Sequence, residues 1–150
     1  MGYTLPLLVE ADLTIVNLEC VIASTSRPWS RWPKAFHFRA DPLAIDALKR
    51  AGVDCVVLAN NHVLDYEEPA LLEMLELLER NGLAFAGAGR DLEEARRPAV
   101  LDARGVKVGV VAFTDNEPGW AATATTPGTS YIPVATEEPS LGPVRAGIAR

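Results

Sequence analysis

The amino-acid sequence predicts an α/β fold. Short apolar runs typical of strands alternate with segments whose apolar residues recur at helical spacing, in the order β-α-β-α-β. This order favours a mainly parallel sheet that is covered by helices and joined by right-handed crossovers. With 150 residues, of which 49% are hydrophobic, the chain is long enough to bury a core as one domain.

The first predicted elements are a strand, a helix and a second strand. Residues 13–16 form a short run rich in β-formers. Asp41 and Pro42 match the N-cap and N1 positions of a helix that Gly52 closes at C′. Residues 53–58 follow at once as an apolar run, which we interpret as a buried strand.

The clearest predicted helix covers residues 68–80. Its leucines and methionine recur at i, i+3, i+4 and i+7, whereas its charged residues share the other face. Residues 83–86 are predicted to form a third strand, and residues 91–95 a short helix.

The last predicted elements are extended. Residues 99–102 and 106–113 are predicted to form a hairpin, and residues 131–134 hint at one further strand. We therefore expect a single domain whose core covers about residues 8–134, followed by a tail over residues 135–150.

The composition argues against several classes of function. A formal charge of −6 and a pI near 4.9 argue against binding to nucleic acid or to anionic membranes, which needs a basic face. No apolar run reaches the roughly 18 residues of a membrane-spanning helix, and no secretory signal pattern is present. Cys20 and Cys55 are too few for a zinc knuckle or a disulfide framework, so a cytoplasmic, reduced protein is the default expectation.

Amide side chains follow the predicted strands at their carboxyl ends. Asn17 follows the first strand, Asn60 the second, and Asn116 the last strand of the hairpin. If these strands are parallel, their loops gather at the edge where α/β proteins bind ligands. We expect these three amides and Trp120 to contact the substrate, although loop anchoring explains Trp120 equally well.

The same loops carry the groups from which a reactive site is built. The carboxylate of Glu19 and the amide oxygen of Asn61 can ligate a hard divalent cation. His62 is placed to act as general acid or electrostatic stabiliser, with Asp65 as the partner that fixes one tautomer. Each residue has a structural alternative: Glu19 as a surface residue, Asn61 as a turn former, and Asp65 as the N-cap of the next helix.

Four segments of the chain have a recognisable combination: ADLTIVNLE at 11–19, ANNH at 59–62 followed by Asp65, GAGRDLEEA at 87–95, and FTDNEPGW at 113–120. In this combination they resemble the CapA family of poly-γ-glutamate and capsule biosynthesis proteins, which belongs to the calcineurin-like metallophosphoesterase superfamily. The first two segments are the most specific.

This resemblance implies a layered α/β/β/α sandwich with a metal centre. Glu19 is implied to bridge two metal ions and Asn61 to be a ligand. His62, oriented by Asp65, is implied to face the substrate. The implied cofactors are two divalent ions, which are Mn, Zn, Fe or Mg.

The sequence also departs from the family pattern. Family members open with a strand ending in Gly-Asp, whose Asp is a metal ligand, and carry His-containing segments in their second half. Here no such strand follows Met1, and His37 and His62 are the only histidines. We therefore expect an incomplete sandwich that lacks the first strand and the second half, without a complete active site. An exposed sheet edge would allow self-association.

The expected function is metal-assisted hydrolysis, or related chemistry, on a phosphate ester or on a polyglutamate or other peptide-like substrate. A non-catalytic binding or assembly component of a capsule or polyglutamate synthesis system is the alternative from another class. A peptide epimerase of the same fold is a third reading. Full-length relatives are implied to be membrane-associated in some cases, whereas these residues contain no membrane segment.

Overall fold

The computed structural model describes residues 2–134 and 138–148. Its strands are β1 Ile15–Asn17, β2 Val21–Ile22, β3 Arg39–Ala40, β4 Cys55–Val57, β5 Ala84–Ala86, β6 Ala88–Gly89, β7 Ala99–Ala103, β8 Val106–Val110 and β9 Gly128–Thr129. Its α-helices are α1 Leu5–Val9, α2 Ala44–Arg50, α3 Glu67–Arg80, α4 Leu92–Ala95 and α5 Glu138–Ile148. The predicted α/β class is confirmed.

A three-stranded parallel sheet lies at the centre of the fold. Its strand order is β1-β4-β5, with Ile15 opposite Cys55 and Cys55 opposite Ala84. The helices α2 and α3 lie in the connections between these strands, as parallel pairing requires. Three two-stranded ladders surround this sheet: β2-β3 is parallel, whereas β6-β9 and β7-β8 are antiparallel.

Two glycines turn the chain from a helix into the next strand of the central sheet. After α2, Gly52 adopts a left-handed φ of 67° and donates its N–H to the carbonyl of Lys49 at 3.0 Å. Val53 then donates to Leu48 at 3.1 Å, which completes a Schellman motif. The same pair of bonds follows α3 at Gly82, whose φ is 69°. The predicted helix end at Gly52 is confirmed.

The predicted start of α2 is wrong by two residues. Asp41 does not cap the helix but accepts the N–H of Leu43 through its own side chain at 2.9 Å. Ala44 donates to the carbonyl of Asp41 at 2.8 Å, which is a tight i to i+3 bond. The Asp41-Pro42 pair therefore forms a turn that leads into Ala44–Arg50, because the aspartate side chain bonds its own backbone two residues on.

The predicted hairpin is confirmed as β7-β8, whose turn residues Arg104 and Gly105 both have positive φ, 49° and 87°. Its second strand ends at Val110 rather than at residue 113. The predicted strand over 131–134 is wrong. Only Tyr131 forms an isolated bridge there, and Pro133 has no N–H with which to extend a ladder.

The apolar face of α3 forms the centre of the core. Its four periodic positions are completely buried: Leu71, Met74, Leu75 and Leu78. This helix packs against β2 and β5, and its Met74 sulfur accepts the N–H of Ile22 at 3.3 Å. Within residues 2–134 and 138–148, no helix combines the length and the apolar character of a bilayer-spanning segment.

Gly87 lies where the end of β5 comes close to the segments that contain Ala59 and Ala112. Its φ is 97°, and a Cβ at this position would lie 2.6 Å from the Ala59 Cβ and 2.9 Å from the Ala112 Cβ. Residues 59, 87 and 112 thus meet where β5 ends. No side chain fits here without displacing the backbone of the segment that follows β4.

We expect Gly87→Ala to lower the free energy of unfolding by about 2–4 kcal/mol, because it adds overpacking to backbone strain. Gly82→Ala is the matched control, since Gly82 has a similar positive φ but no atom within 4 Å of the added Cβ. It should cost about 1 kcal/mol. Urea unfolding followed by tryptophan fluorescence measures both. Equal losses in the two variants would contradict the packing role of Gly87.

Candidate functional site

The loops that follow β1, β4 and β5 lie at one edge of the central sheet. This follows from the parallel pairing of the three strands, whose last residues are Asn17, Val57 and Ala86. The predicted convergence is confirmed for these three loops, whereas β8, which precedes Asn116, pairs with β7 outside the parallel sheet. The segment after β8 reaches the same edge by another route, because Ala112 packs beside Gly87 although β8 lies outside the central sheet.

Asn60 joins the first two of these loops. Its side-chain nitrogen donates to the side-chain oxygen of Asn17 at 3.1 Å and to the carbonyl of Leu18 at 3.0 Å. Its side-chain oxygen accepts the N–H of His62 at 3.0 Å. The predicted neighbours Asn17 and Asn60 therefore meet, and Asn60 uses both ends of its amide to fix the loop that carries His62.

His62 and Asp65 form a buried pair. The Nδ1 of His62 lies 2.7 Å from the Oδ2 of Asp65, which also accepts the N–H of Phe38 at 2.6 Å. Because an ionised carboxylate can only accept, this contact favours the tautomer with the hydrogen on Nδ1, in which the lone pair of the neutral ring lies on Nε2. The ring of Phe38 stacks on the imidazole at 4.2 Å between centroids. These contacts hold the ring in one orientation.

Asp65 does not cap α3. The helix begins at Glu67, and Tyr66 in the preceding position makes no side-chain cap. The carboxylate of Asp65 is completely buried and is occupied by His62 and Phe38 instead. Of the two roles left open by the sequence, the geometry therefore selects the imidazole partner.

Glu19 and Asn61 carry free side-chain oxygens at this edge. Glu19 is exposed, and Asn61 is half-buried. Neither side chain forms a hydrogen bond or ion pair with another described residue. The bond between Asn17 and Asn60 places them in adjoining loops, since Glu19 lies two residues after Asn17 and Asn61 directly follows Asn60.

These two oxygens do not by themselves make a metal centre. Among residues 2–134 and 138–148, no group of three or more His, Cys, Asp and Glu side chains is arranged to hold a metal ion. A carboxylate and an amide oxygen suit a hard divalent cation, yet such an ion takes about six or more ligands. The described residues therefore fit part of a coordination shell and not a binuclear site.

The segment after β8 contributes Glu117 and Trp120. Glu117 has a left-handed φ of 52°, and its Oε2 accepts the indole N–H of Trp32 at 3.1 Å. Trp120 is only 1% exposed and packs edge-on against Trp29, with 5.3 Å between ring centroids. Trp120 thus forms a wall behind the site. Asn116, by contrast, is exposed, and its N–H donates to the Thr114 hydroxyl at 3.1 Å.

Lys34 is the site residue that sequence reasoning missed. Its Nζ donates to the carbonyl of Asn61 at 2.7 Å and lies 3.4 Å from Asp65 Oδ1. The only sequence signal was a lysine within the aromatic-rich stretch 29–38, which no helical or strand period distinguishes. Phe38 was also missed, because its role comes from its backbone N–H as well as from its ring.

Neither cysteine supplies a reactive thiolate at neutral pH. Burial, and to a smaller extent the charge of Asp65, raises the pKa of the Cys20 thiol. Burial, with a smaller contribution from Asp54, raises the pKa of Cys55 to about 11. Both groups are therefore protonated at pH 7, and the imidazole of His62 is the candidate for proton transfer at this edge.

The fold and this edge of the sheet define an α/β protein with polar side chains gathered at the carboxyl edge of a parallel sheet. The model of the family described as bacterial capsule synthesis protein PGA_cap matches residues 1–150. The chain belongs to this family of capsule and polyglutamate biosynthesis proteins, and the resemblance to CapA proteins is confirmed.

Three curated relatives show how much of each protein is shared. The chain is 28% identical over 111 residues to the capsule biosynthesis protein CapA of Bacillus anthracis, covering 73% of this chain and 27% of the relative. It is 34% identical over 126 residues to a protein of Mycobacterium tuberculosis named as a probable polyglutamine synthesis accessory protein, covering 81% and 33%. For the PGA biosynthesis protein CapA of Bacillus subtilis the identity is 26% over 128 residues, covering 84% and 33%. The chain thus spans a third or less of these relatives.

We expect Asp65→Ala to lower the free energy of unfolding by about 3–5 kcal/mol, because it leaves the His62 ring and the Phe38 N–H without their acceptor and removes one of the two carboxylates that match the Lys34 charge. Asp115→Ala is the control, since Asp115 is an exposed aspartate near the same edge and should change stability by at most about 0.5 kcal/mol. Denaturant titration compares the two. A loss below about 1 kcal/mol in Asp65→Ala would show that the carboxylate is not the organising acceptor.

Proposed function

We propose that this chain carries the imidazole half of a metal-dependent hydrolase site that acts in capsule or polyglutamate biosynthesis. The supporting observation is that His62, fixed by Asp65 at 2.7 Å, lies in a loop adjoining the free oxygen of Glu19. The substrate class is a phosphate ester or a polyglutamate-like peptide polymer. Both present an oxygen or nitrogen leaving group that a positioned acid can protonate.

The residues of the chain divide the work of this site. Asp65 accepts from Nδ1 and so directs Nε2 of His62 toward the substrate. Once protonated, Nε2 donates to the leaving group or stabilises charge that develops there. Asn60 keeps the imidazole loop rigid through its three hydrogen bonds. Preorganisation of this kind lowers the cost of reaching the reactive geometry.

A divalent ion, Mn, Zn, Fe or Mg, is part of this proposal. Glu19 and Asn61 supply side-chain oxygens as ligands. The remaining ligands are water, or residues from the part of the relatives' length that this chain does not span. When bound, such an ion supplies Lewis acidity and an acidified water. This element of the proposal is supported by the free donor oxygens at the edge of the sheet.

Manganese titration tests the metal element of the proposal. We expect Mn²⁺ to bind the chain and its affinity to fall at least about 10-fold in both Glu19→Ala and Asn61→Ala, because each removes one ligand. Glu10→Ala is the control, since Glu10 is exposed and lies outside this edge. Isothermal titration calorimetry measures the affinities. Equal affinity in all four proteins would rule out Glu19 and Asn61 as ligands.

Hydrolysis assays test the role of the imidazole. With Mn²⁺ present, we expect His62→Gln to slow 4-nitrophenolate release from a chromogenic phosphodiester, or shortening of poly-γ-glutamate, by about 100-fold or more. The control is His37→Gln, because His37 packs against Tyr66 with 6.2 Å between ring centroids and is not part of the His62–Asp65 pair. If His62→Gln leaves the rate of hydrolysis unchanged, the proposed role of His62 as general acid is wrong.

A non-catalytic assembly role is the second candidate function. It is favoured by the small donor set, because Glu19 and Asn61 are only two ligands and no larger acidic or histidine group accompanies them among the described residues. One relative is also named as an accessory protein. In that role the edge of the sheet is inherited architecture. Tight Mn²⁺ binding without hydrolysis of either substrate would favour it.

A further inference from the structure

Lys34 is a buried cation at the centre of three chain segments. Only 8% of its side chain is exposed. Its Nζ donates to the Asn61 carbonyl at 2.7 Å, and it lies 3.4 Å from Asp65 Oδ1 and 3.6 Å from Glu117 Oε1. The ammonium also lies 5.1 Å from the ring centroid of Trp120. A lysine is rarely buried to this extent unless its charge is matched, and here two carboxylates and one carbonyl match it.

The contacts of Lys34 involve two residues of the proposed site, Asn61 and Asp65. Its bond to the Asn61 carbonyl fixes the backbone from which the free Asn61 amide projects. Its approach to Oδ1 of Asp65 leaves Oδ2 directed at His62, so the carboxylate cannot rotate freely between the two. One ammonium group thus sets the direction of a candidate ligand and of the imidazole partner.

The third contact of Lys34 joins a separate segment to these two. Glu117 holds Lys34 with Oε1 and the indole N–H of Trp32 with Oε2. Its left-handed φ of 52° is unfavourable for a residue with a Cβ and persists only where the surroundings enforce it.

We infer that Lys34 is a positioning residue of the candidate site: its ammonium locks the Asn61–Asp65 loop against Glu117 and so fixes the orientation of His62. The inference rests on the proposed function for its consequence in catalysis. The geometric claim stands on the contacts of Lys34 alone and can be tested in the metal-free protein.

The first test is spectroscopic and uses the whole chain without metal. The hydrogen on Nδ1 of His62, held by Asp65 at 2.7 Å, should give a protected downfield proton resonance. We expect this resonance to be lost in Lys34→Met and retained in Lys34→Arg, which keeps the positive charge. Lys107→Met, at an exposed lysine that pairs with Asp102, should leave it unchanged. Persistence of the resonance in a folded Lys34→Met protein would overturn the inference.

The second test needs no substitution, so it decides the question even where Lys34→Met does not fold. A buried ammonium that is bonded to a carbonyl exchanges its hydrogens slowly, whereas an exposed lysine exchanges them at once. We expect a 15Nζ–1Hζ cross-peak from Lys34 in the unmodified protein at neutral pH and cold temperature. If the Lys34 ammonium exchanges as fast as that of Lys107, the inference is wrong.

Manganese affinity connects the inference to the proposed function. Loss of a residue that orients a ligand typically weakens metal binding by about 10- to 100-fold, and we expect this for Lys34→Met but not for Lys107→Met. Failure of the unmodified chain to bind Mn²⁺ would count against the proposed function. The two resonance measurements would still decide the role of Lys34, so the two failures are distinguishable.

Discussion

The buried carboxylate of Asp65 is the constraint on which the rest of the site depends. It is completely excluded from solvent, and a charge in that position is tolerated only when donors surround it. The groups that face it are the Nδ1 of His62 and the N–H of Phe38, which donate to Oδ2, and the charged ammonium of Lys34, which lies 3.4 Å from Oδ1. Two of the three come from the stretch before β3. That stretch must therefore fold back over the loop after β4 to bring Lys34 and Phe38 to Asp65. The packing of this stretch and the orientation of the imidazole are thus established together.

Polar side chains, rather than regular secondary structure, hold that returning stretch in place. Residues 24–38 contain no helix or strand. The start of this stretch is bound to α3, because the Glu73 carboxylate accepts the N–H groups of Ser24 at 2.8 Å and Thr25 at 3.3 Å. Burial alone would raise the pKa of Glu73, but these hydrogen bonds outweigh it and lower the pKa. The hydrogen bonds from Ser24 and Thr25 thus stabilise the charged form of the Glu73 carboxylate. The helix α3 therefore supplies an apolar face to the core and, through Glu73, an anchor for residues 24–38.

Local patterns predicted the parts of the structure that local physics determines. The helix α3 follows from helical spacing: it covers Glu67–Arg80, against a predicted range of 68–80. The chain then turns at Gly82, which adopts the positive φ that glycine favours. The pair of His62 and Asp65 was also predictable, because the two residues are only three positions apart. The pair of Lys34 and Glu117 was not predictable, since the two residues are 83 positions apart and no period in the sequence relates a lysine to a distant glutamate with a left-handed φ. Long-range pairing of buried charges is decided by the folded chain, after the elements have formed.

The hydrogen bonds at the edge of the sheet separate two tasks. The imidazole half is already organised by the chain itself: Asp65 bonds to His62 and to the Phe38 N–H, and Lys34 bonds to the Asn61 carbonyl and lies 3.4 Å from Asp65 Oδ1. The oxygens of Glu19 and Asn61, by contrast, are engaged by no other described side chain. A cation can therefore bind to these oxygens without breaking any bond that orients the imidazole. The consequence is that the acid is organised before metal arrives. Substitution of the Glu19 or Asn61 side chain removes a metal ligand without breaking a bond to the imidazole, whereas Lys34 contacts both sides of the edge.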